Sequence, residues 1–280
     1  MRTIHTDVII KQVSEMCMEA NLHLSQDITN AVHQAGDTET SPLGRQILHQ
    51  LRENMEIAAA EQIPICQDTG MAVVFLDIGQ EVHIEGIAVE DAVNEGIRRG
   101  YTDGYLRKSV VHDPIQRQNT NDNTPGIIHY RMVPGDQLTI TVAPKGFGSE
   151  NMSKIYMLKP ADGIEGVKEA ILNTVREAGP NACPPMVVGV GIGGDFEKCA
   201  LMAKEALTRP VHQRSEIPYV KELEQEMLEK INALGIGPGG LGGTVTALGV
   251  NVNVYPTHIA GLPVAVNICC HVARHVERVI

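Results

Sequence analysis

The sequence predicts an α+β protein, with a helical amino-terminal part followed by mixed α/β layers. Two observations carry this expectation. Apolar residues recur near the helical period through roughly the first sixty positions, and beyond them short β-branched runs alternate with further helical stretches.

Residues Thr6 to Leu24 place Val8, Ile9, Val13, Met16 and Cys17 near helical spacing, which predicts a first helix. A second begins at Ser25. A third opens at Ser41-Pro42, an N-cap followed by proline at the first helical position, runs through Ile47, Leu48, Leu51 and Met55, and stops before Pro64. Strands are expected over Ala72–Ile78, Gly126–Val133 and Gln137–Val142, the last two joined by a Pro-Gly-Asp turn. A helix fits Val89–Gly100 between them. Ile164–Glu177 is amphipathic and precedes a short apolar strand, Met186–Val190. Helices over Phe196–Leu207 and Tyr219–Leu234, a glycine-rich loop at Gly235–Gly243, and strands over Thr244–Val254 and Pro263–Ile268 complete the chain. No internal repeat or evident linker divides it, so one domain over 1–280 is expected.

The chain has 280 residues, 43% hydrophobic and 20% charged, an ordinary balance for a globular protein. Net charge is −11, with no local basic patch, which argues against a phosphate-backbone partner. Aromatic content is 3% with no Trp, removing the stacking platforms of single-strand binders. Partners are therefore small molecules or proteins, not nucleic acid or membrane. The amino terminus, MRTIHTDVIIKQ, lacks a signal-peptide pattern, so a cytoplasmic location is expected. There Cys17, Cys66, Cys183, Cys199, Cys269 and Cys270 would stay reduced, favouring metal binding or catalysis over disulfides.

Pro64-Ile65-Cys66-Gln67-Asp68-Thr69-Gly70 sets a thiol, an amide, a carboxyl and a hydroxyl in succession before a glycine that permits a tight turn. The plain alternative is a buried cysteine and an Asx turn. Cys183 stands before Pro184-Pro185, which predicts a rigid extended frame. Cys269 and Cys270 follow a strand; neighbouring strand residues point to opposite faces, so at most one is a ligand. No CxxC pair supports zinc with His258 or His271. Three thiolates without a fourth suit a [4Fe–4S] cluster with one open iron, able to act as a Lewis acid. Gly189-Val190-Gly191-Ile192-Gly193-Gly194 matches GxGxxG, but a helix and Arg209-Pro210 follow where a dinucleotide unit needs a second strand. Those glycines are expected to allow close backbone packing near the Cys183 loop. Arg107 could clamp a carboxylate in bidentate fashion, and His258 sits on a turn between two apolar strands, though a surface arginine and a structural histidine are commoner.

CQDTG at 66–70, LRKS at 106–109, PKGFGSEN at 144–151, ACPP at 182–185, YPTH at 255–258 and CHVARH at 270–275 together resemble the class I (iron–sulfur) fumarate hydratase and L-tartrate dehydratase family, over essentially the whole chain. The resemblance implies one α-type catalytic domain carrying a [4Fe–4S] cluster on Cys66, Cys183 and Cys270. Cys270 is preferred over Cys269 by its interval from the histidine of the YPTH turn. It implies that Gln67 and Asp68 meet the carboxylate and hydroxyl region of the substrate. Arg107 would bind a carboxylate, Gly148 would offer its N–H, and His258 would lie near the reacting carbons. Many relatives have three glycines where this chain has Gly146-Phe147-Gly148. The implied reaction is reversible hydration of fumarate to L-malate. The hydroxyl base and further cationic ligands would come from a β subunit, in an α2β2 assembly. Tartrate dehydratase α chains look different around PKGFGSEN and YPTH, which favours fumarate over tartrate. Gln67, Asp68 and Arg107 argue against a non-catalytic cluster sensor.

Overall fold

Proline at the first helical position, polar N-caps such as Ser41 and Asp195, and apolar stripes place the helices, and β-branched runs place the strands. The computed structural model describes residues 2–280, and the fold is α+β. Two units emerge, one comprising residues up to Ser25, Met55–Phe147 and Arg274–Ile280, the other Gln26–Asn54 and Gly148–Ala273. The four crossings fall at the start of one helix, inside another, and within the PKGFGSEN and CHVARH motifs, so no linker composition marks them in the sequence. Among the described residues no helix is long and apolar enough to cross a membrane.

In the first unit, β1 (Arg2–His5) leads into α1 (Thr6–Leu22), which buries Ile9, Ile10, Val13, Met16 and Cys17. α1 packs on α4 (Val89–Asp103) at close range. A Cβ on Gly96 would stand 2.7 Å from Val13 Cβ, and one on Gly100 2.7 Å from the Ser14 carbonyl. Glycines four apart share one helix face, so both are spent on the same contact. Beneath lies a sheet of β10 (Val276–Val279), β5 (Leu138–Lys145), β2 (Met71–Gly79) and β4 (Ile127–Val133), in that order. β1 pairs in parallel with β3 (Val82–Glu85). The expected turn at Pro134-Gly135-Asp136 does connect β4 and β5, but the two are not a hairpin: β2 runs between them, parallel to β4 and antiparallel to β5. The turn instead caps β2, with the Gly79 N–H donating to the Gln137 carbonyl at 2.9 Å. Local turn chemistry is the same in both arrangements.

The second unit contains α2 (Gln26–Thr38) and the first part of α3 (Pro42–Glu61). Ser41 caps α3 as expected, its Oγ accepting from the Gly44 N–H at 3.2 Å. After the one-turn α5 (Phe147–Glu150), the sheet runs β6 (Lys154–Leu158), β9 (Leu262–Cys269), β7 (Met186–Gly194), β8 (Ala247–Thr257). α6 (Gly163–Ala178) and α8 (Pro218–Asn232) pack on the face that carries Val188 and Val190. α7 (Phe196–Ala206) packs on the other, where Cβ atoms on Gly189 and Gly191 would meet the Ala203 and Cys199 carbonyls at 2.2 and 2.1 Å. Strand alternation thus puts valine on one face and glycine on the other.

This explains the GxGxxG run. Its glycines do serve close packing, but against α7 rather than the Cys183 loop, and their backbone groups belong to a central β-ladder. A second parallel strand does exist: β8 arrives after two helices instead of one. The short β1, β3, β6 and β10 had no legible period, being four or five residues long at sheet edges or in a two-stranded pair.

Glu39, fully buried between α2 and α3, is the polar clamp of this unit. Its carboxylate accepts from the Ser41 N–H at 2.8 Å, the Thr244 N–H at 2.9 Å and the Val245 N–H at 2.8 Å, and from the Thr244 hydroxyl at 3.1 Å. Burial opposes its ionisation, but these donors outweigh it and hold the pKa below the ordinary 4.5. A depressed folded pKa stabilises the protein above the unfolded value, and that contribution is lost as pH falls through the folded one. Glu39→Gln should therefore lower stability near neutral pH by about 1–3 kcal/mol. In denaturant titrations the gap to the parent protein should narrow as pH drops below the ordinary carboxylate range; a gap independent of pH would contradict the assignment.

Candidate metal and substrate site

The polar loop of the first unit begins where α3 ends. The Ile65 N–H donates to the Asn21 carbonyl at 2.9 Å, fixing the loop to the end of α1. Gly70 closes it with φ +79, and a Cβ there would lie 2.8 Å from the Lys145 nitrogen, so no other residue fits the turn. Tyr101, fully buried, donates its hydroxyl to the Thr69 carbonyl at 2.7 Å and the Gly70 carbonyl at 3.1 Å. Burial pushes its phenol well above the ordinary range, so it remains a donor at any working pH. Asn123 adds a bond to the Gly70 carbonyl at 3.1 Å.

The same loop gathers the residues expected to meet substrate. Asp68 forms the Asx turn of the plain reading, Oδ1 accepting from the Gly70 N–H at 3.0 Å, but its Oδ2 also takes the Phe147 N–H at 2.9 Å. The carboxylate is therefore held by two backbone donors from separate segments. Thr69 donates its hydroxyl to the Arg107 carbonyl at 3.0 Å, and Asn123 Oδ1 accepts from the Ser109 N–H at 2.6 Å. These bonds bring the LRKS segment against CQDTG, with the Arg107 side chain exposed. Cys66 is half-buried, Sγ standing 3.2 Å from Gln67 Oε1, and Gln67 is exposed.

In the second unit, Cys183 ends a short 3-10 turn with φ 51 and ψ 64. This corrects the extended frame expected before proline. The Cys183 N–H donates back to the Pro180 carbonyl at 3.1 Å, which rolls the residue into the left-handed region. That conformation costs a non-glycine residue about 1–2 kcal/mol. His271 helps hold it: its Nδ1 lies 3.0 Å from the Cys183 carbonyl, which can only accept, so Nδ1 carries the proton. Cys270 is half-buried just beyond β9, whereas Cys269 is buried as the last residue of that strand. PKGFGSEN reaches the same strand: Asn267 donates to Glu150 at 3.0 Å, and the Ser153 hydroxyl accepts from the Ile268 N–H at 3.0 Å. His258 is exposed after β8, its Nδ1 accepting from the Ala260 N–H at 3.2 Å, which leaves Nε2 for chemistry. Gly148 is exposed, and a Cβ on it would meet nothing within 4 Å.

The six cysteines divide by environment. Cys17, Cys199 and Cys269 are buried, while Cys66, Cys183 and Cys270 are accessible. Burial pushes the Cys17 thiol up to about 12 and raises Cys199 as well, so neither offers a thiolate. The accessible three are a soft donor set of the kind iron–sulfur clusters take. Among the described residues no three His, Cys, Asp or Glu side chains gather around a point that would hold a single ion. A cluster asks something different, since each thiolate binds its own iron.

Sequence reasoning missed Arg274, Tyr101 and Asn123. Arg274 lies inside the quoted CHVARH motif, yet is buried, donating to the Asp68 and Pro144 carbonyls. Nothing local marks Tyr101 or Asn123, which act on main-chain atoms distant in sequence.

A family model described as fumarate hydratase (Fumerase) matches residues 10–279. A Methanocaldococcus jannaschii protein provisionally named L(+)-tartrate dehydratase subunit alpha is 41% identical over 275 residues, covering 96% of this chain and 95% of that one. Escherichia coli proteins named L(+)-tartrate dehydratase subunit alpha are similar at 31% in strain UTI89 and 30% in strain K12, each over 254 residues, covering 90% of this chain and 84% of theirs.

Because the single Tyr101 hydroxyl proton is shared between two buried carbonyls, the nearer that of Thr69, Tyr101→Phe should cost about 1–3 kcal/mol. Thermal unfolding should show the loss, and protease cleavage within residues 66–70 should quicken. Unchanged cleavage would mean that the phenol does not hold this loop.

Proposed function

Because this chain belongs to the fumarate hydratase family of hydro-lyases, whose members imply an iron–sulfur cluster, we propose that it is the cluster-binding α subunit of an iron–sulfur fumarate hydratase. The activity is reversible addition of water to fumarate, giving L-malate. The observation that carries the reading is the division of the cysteines: the three accessible ones, Cys66, Cys183 and Cys270, are those the family motifs single out. They would hold a [4Fe–4S] cluster, which when bound supplies an open iron as Lewis acid for the substrate's hydroxyl and a carboxylate.

The chain's own residues bind and orient. The exposed Arg107 takes a carboxylate in bidentate fashion, and the bond from Thr69 to its carbonyl sets its main chain against the polar loop. Gln67 and Asp68 meet the carboxylate and hydroxyl region, with Asp68 also among the catalytic groups. Gly148 offers its N–H from an exposed position. His258 attends the reacting carbons through Nε2. A dianionic substrate on a chain of net charge −11 needs more local positive charge than one arginine, and trans addition needs a base. A β subunit supplies both, in an α2β2 assembly, consistent with relatives named as alpha subunits. Those names keep L-tartrate as the second reading of the substrate.

Anaerobic reconstitution tests the cluster. Alanine at Cys66, Cys183 or Cys270 should abolish the visible sulfur-to-iron absorbance, and alanine at Cys269 should keep it. Stoichiometric zinc without sulfide in the parent protein would sink the cluster, and the reverse pattern at the cysteine pair would move the third ligand to Cys269. Fully loaded α chain alone should turn over fumarate at background rate and gain activity on adding β. Assaying the pair with fumarate and L-tartrate side by side decides the substrate; turnover of tartrate alone would replace the first reading with the second.

A further inference from the structure

Arg274 is only 5% exposed, and both of its hydrogen-bond acceptors are main-chain carbonyls. Its Nη2 donates to the Asp68 carbonyl and its Nε to the Pro144 carbonyl, the latter at 3.2 Å, while Nη1 is buried with no hydrogen-bond partner. A guanidinium carries five N–H donors, and a buried charge with part of that fork unmatched is an expensive way to cross-link two carbonyls. Its two bonds recover part of that cost, but the unmatched Nη1 does not, so cross-linking two carbonyls does not by itself account for a buried charge here.

Its targets show what does. Asp68 is gripped from both ends: Arg274 takes its carbonyl, and the Gly70 and Phe147 N–H groups take its carboxylate at 3.0 and 2.9 Å. Pro144 lies at the end of β5, opposite Ala72 of β2, so Arg274 ties the polar loop to the sheet that follows it. A Cβ on Gly146 would stand 3.2 Å from Asp68 Oδ2 and 3.9 Å from Arg274 Nη2, so carboxylate and guanidinium flank the same glycine. Lysine gathers its three N–H donors at one compact ammonium and lacks the rigid planar fork with which arginine reaches both carbonyls. Removing Arg274 frees the peptide that carries Asp68, with Cys66 and Gln67 immediately before it.

We propose that Arg274 is a positioning residue of the dicarboxylate site, holding the Gln67-Asp68 main chain in its reactive orientation through the Asp68 carbonyl. The inference rests on the hydro-lyase reading for its kinetic consequence, but not for its structural one. It assigns no ligand role to Arg274, so cluster binding and substrate positioning should separate.

The test uses the reconstituted αβ enzyme with Arg274→Lys and Arg274→Ala. Both variants should keep the iron and sulfide content and visible absorbance of the parent. Turnover should drop about 10–100-fold in kcat, the usual range for losing a residue that holds the contacting groups in place, with KM changing much less. Millimolar guanidinium ion should restore part of the kcat of Arg274→Ala and none of that of Arg274→Lys. Independently of activity, amide exchange of residues 66–70 should quicken at least tenfold in both variants, with β7 unchanged. Parent-like kcat and exchange in a cluster-loaded variant would overturn the proposal. So would failure of both variants to fold, which would mark Arg274 as a residue of the core. If the parent pair hydrates neither fumarate nor dehydrates tartrate, the functional reading fails, and the exchange measurement still decides whether Arg274 holds the loop.

Discussion

The arrangement depends on main-chain carbonyls that have donors waiting for them. Beyond the buried Ile65, a loop of consecutive polar residues has little apolar surface to anchor it, so its shape is set largely by what bonds its peptide groups. Here Tyr101 and Asn123 hold the Thr69 and Gly70 carbonyls, Arg274 holds that of Asp68, and Asn21 receives the Ile65 N–H. Buried peptide groups left without partners would each cost about 1–3 kcal/mol, enough to make the loop one conformation rather than many. The side chains of Cys66, Gln67 and Asp68 inherit that order while remaining open to chemistry.

The second unit reaches a similar end by packing. Alternation along β7 sends valines to the core formed with α6 and α8, and glycines to α7, whose carbonyls would clash with any Cβ. A helix pressed onto a strand at that distance leaves little freedom to the segments that flank it. Cys183 sits just before β7 in a left-handed turn secured by the Pro180 carbonyl and by His271. Strain of about 1–2 kcal/mol at a non-glycine residue is tolerated where surrounding contacts over-determine it, and such positions concentrate at functional sites. The ligand role proposed for this cysteine needs an exposed thiol, and geometry within its unit explains how that thiol is kept presented.

Charge follows the same division between holding and acting. Glu39 is a buried carboxylate whose donors are all backbone or hydroxyl groups of its own unit, and it serves the junction of two helices with the glycine-rich loop. Arg107 is the contrary case, with its main chain bound and its guanidinium exposed. A carboxylate substrate requires the second kind of residue, because a charge already committed inside the protein has no capacity to bind it.

By itself the sequence determined the α+β class, the positions of the longer helices and strands, and the family, because periodicity and short motifs are local and need no partner to be seen. It also marked Cys66, Asp68 and the CHVARH segment, since unusual residue types stood together there. The pairing of β2 between β4 and β5 was decided only in three dimensions, because a turn looks alike whether or not a strand passes through it. The same holds for the glycine face of β7: GxGxxG is identical in a phosphate loop and in a strand under a helix. Whether Cys269 or Cys270 is accessible, and whether an arginine is surface or buried, depends on which atoms arrive from distant segments. Arg274 and Tyr101 act on carbonyls more than thirty residues away, and no local pattern encodes an interaction whose other half is a peptide group common to every residue.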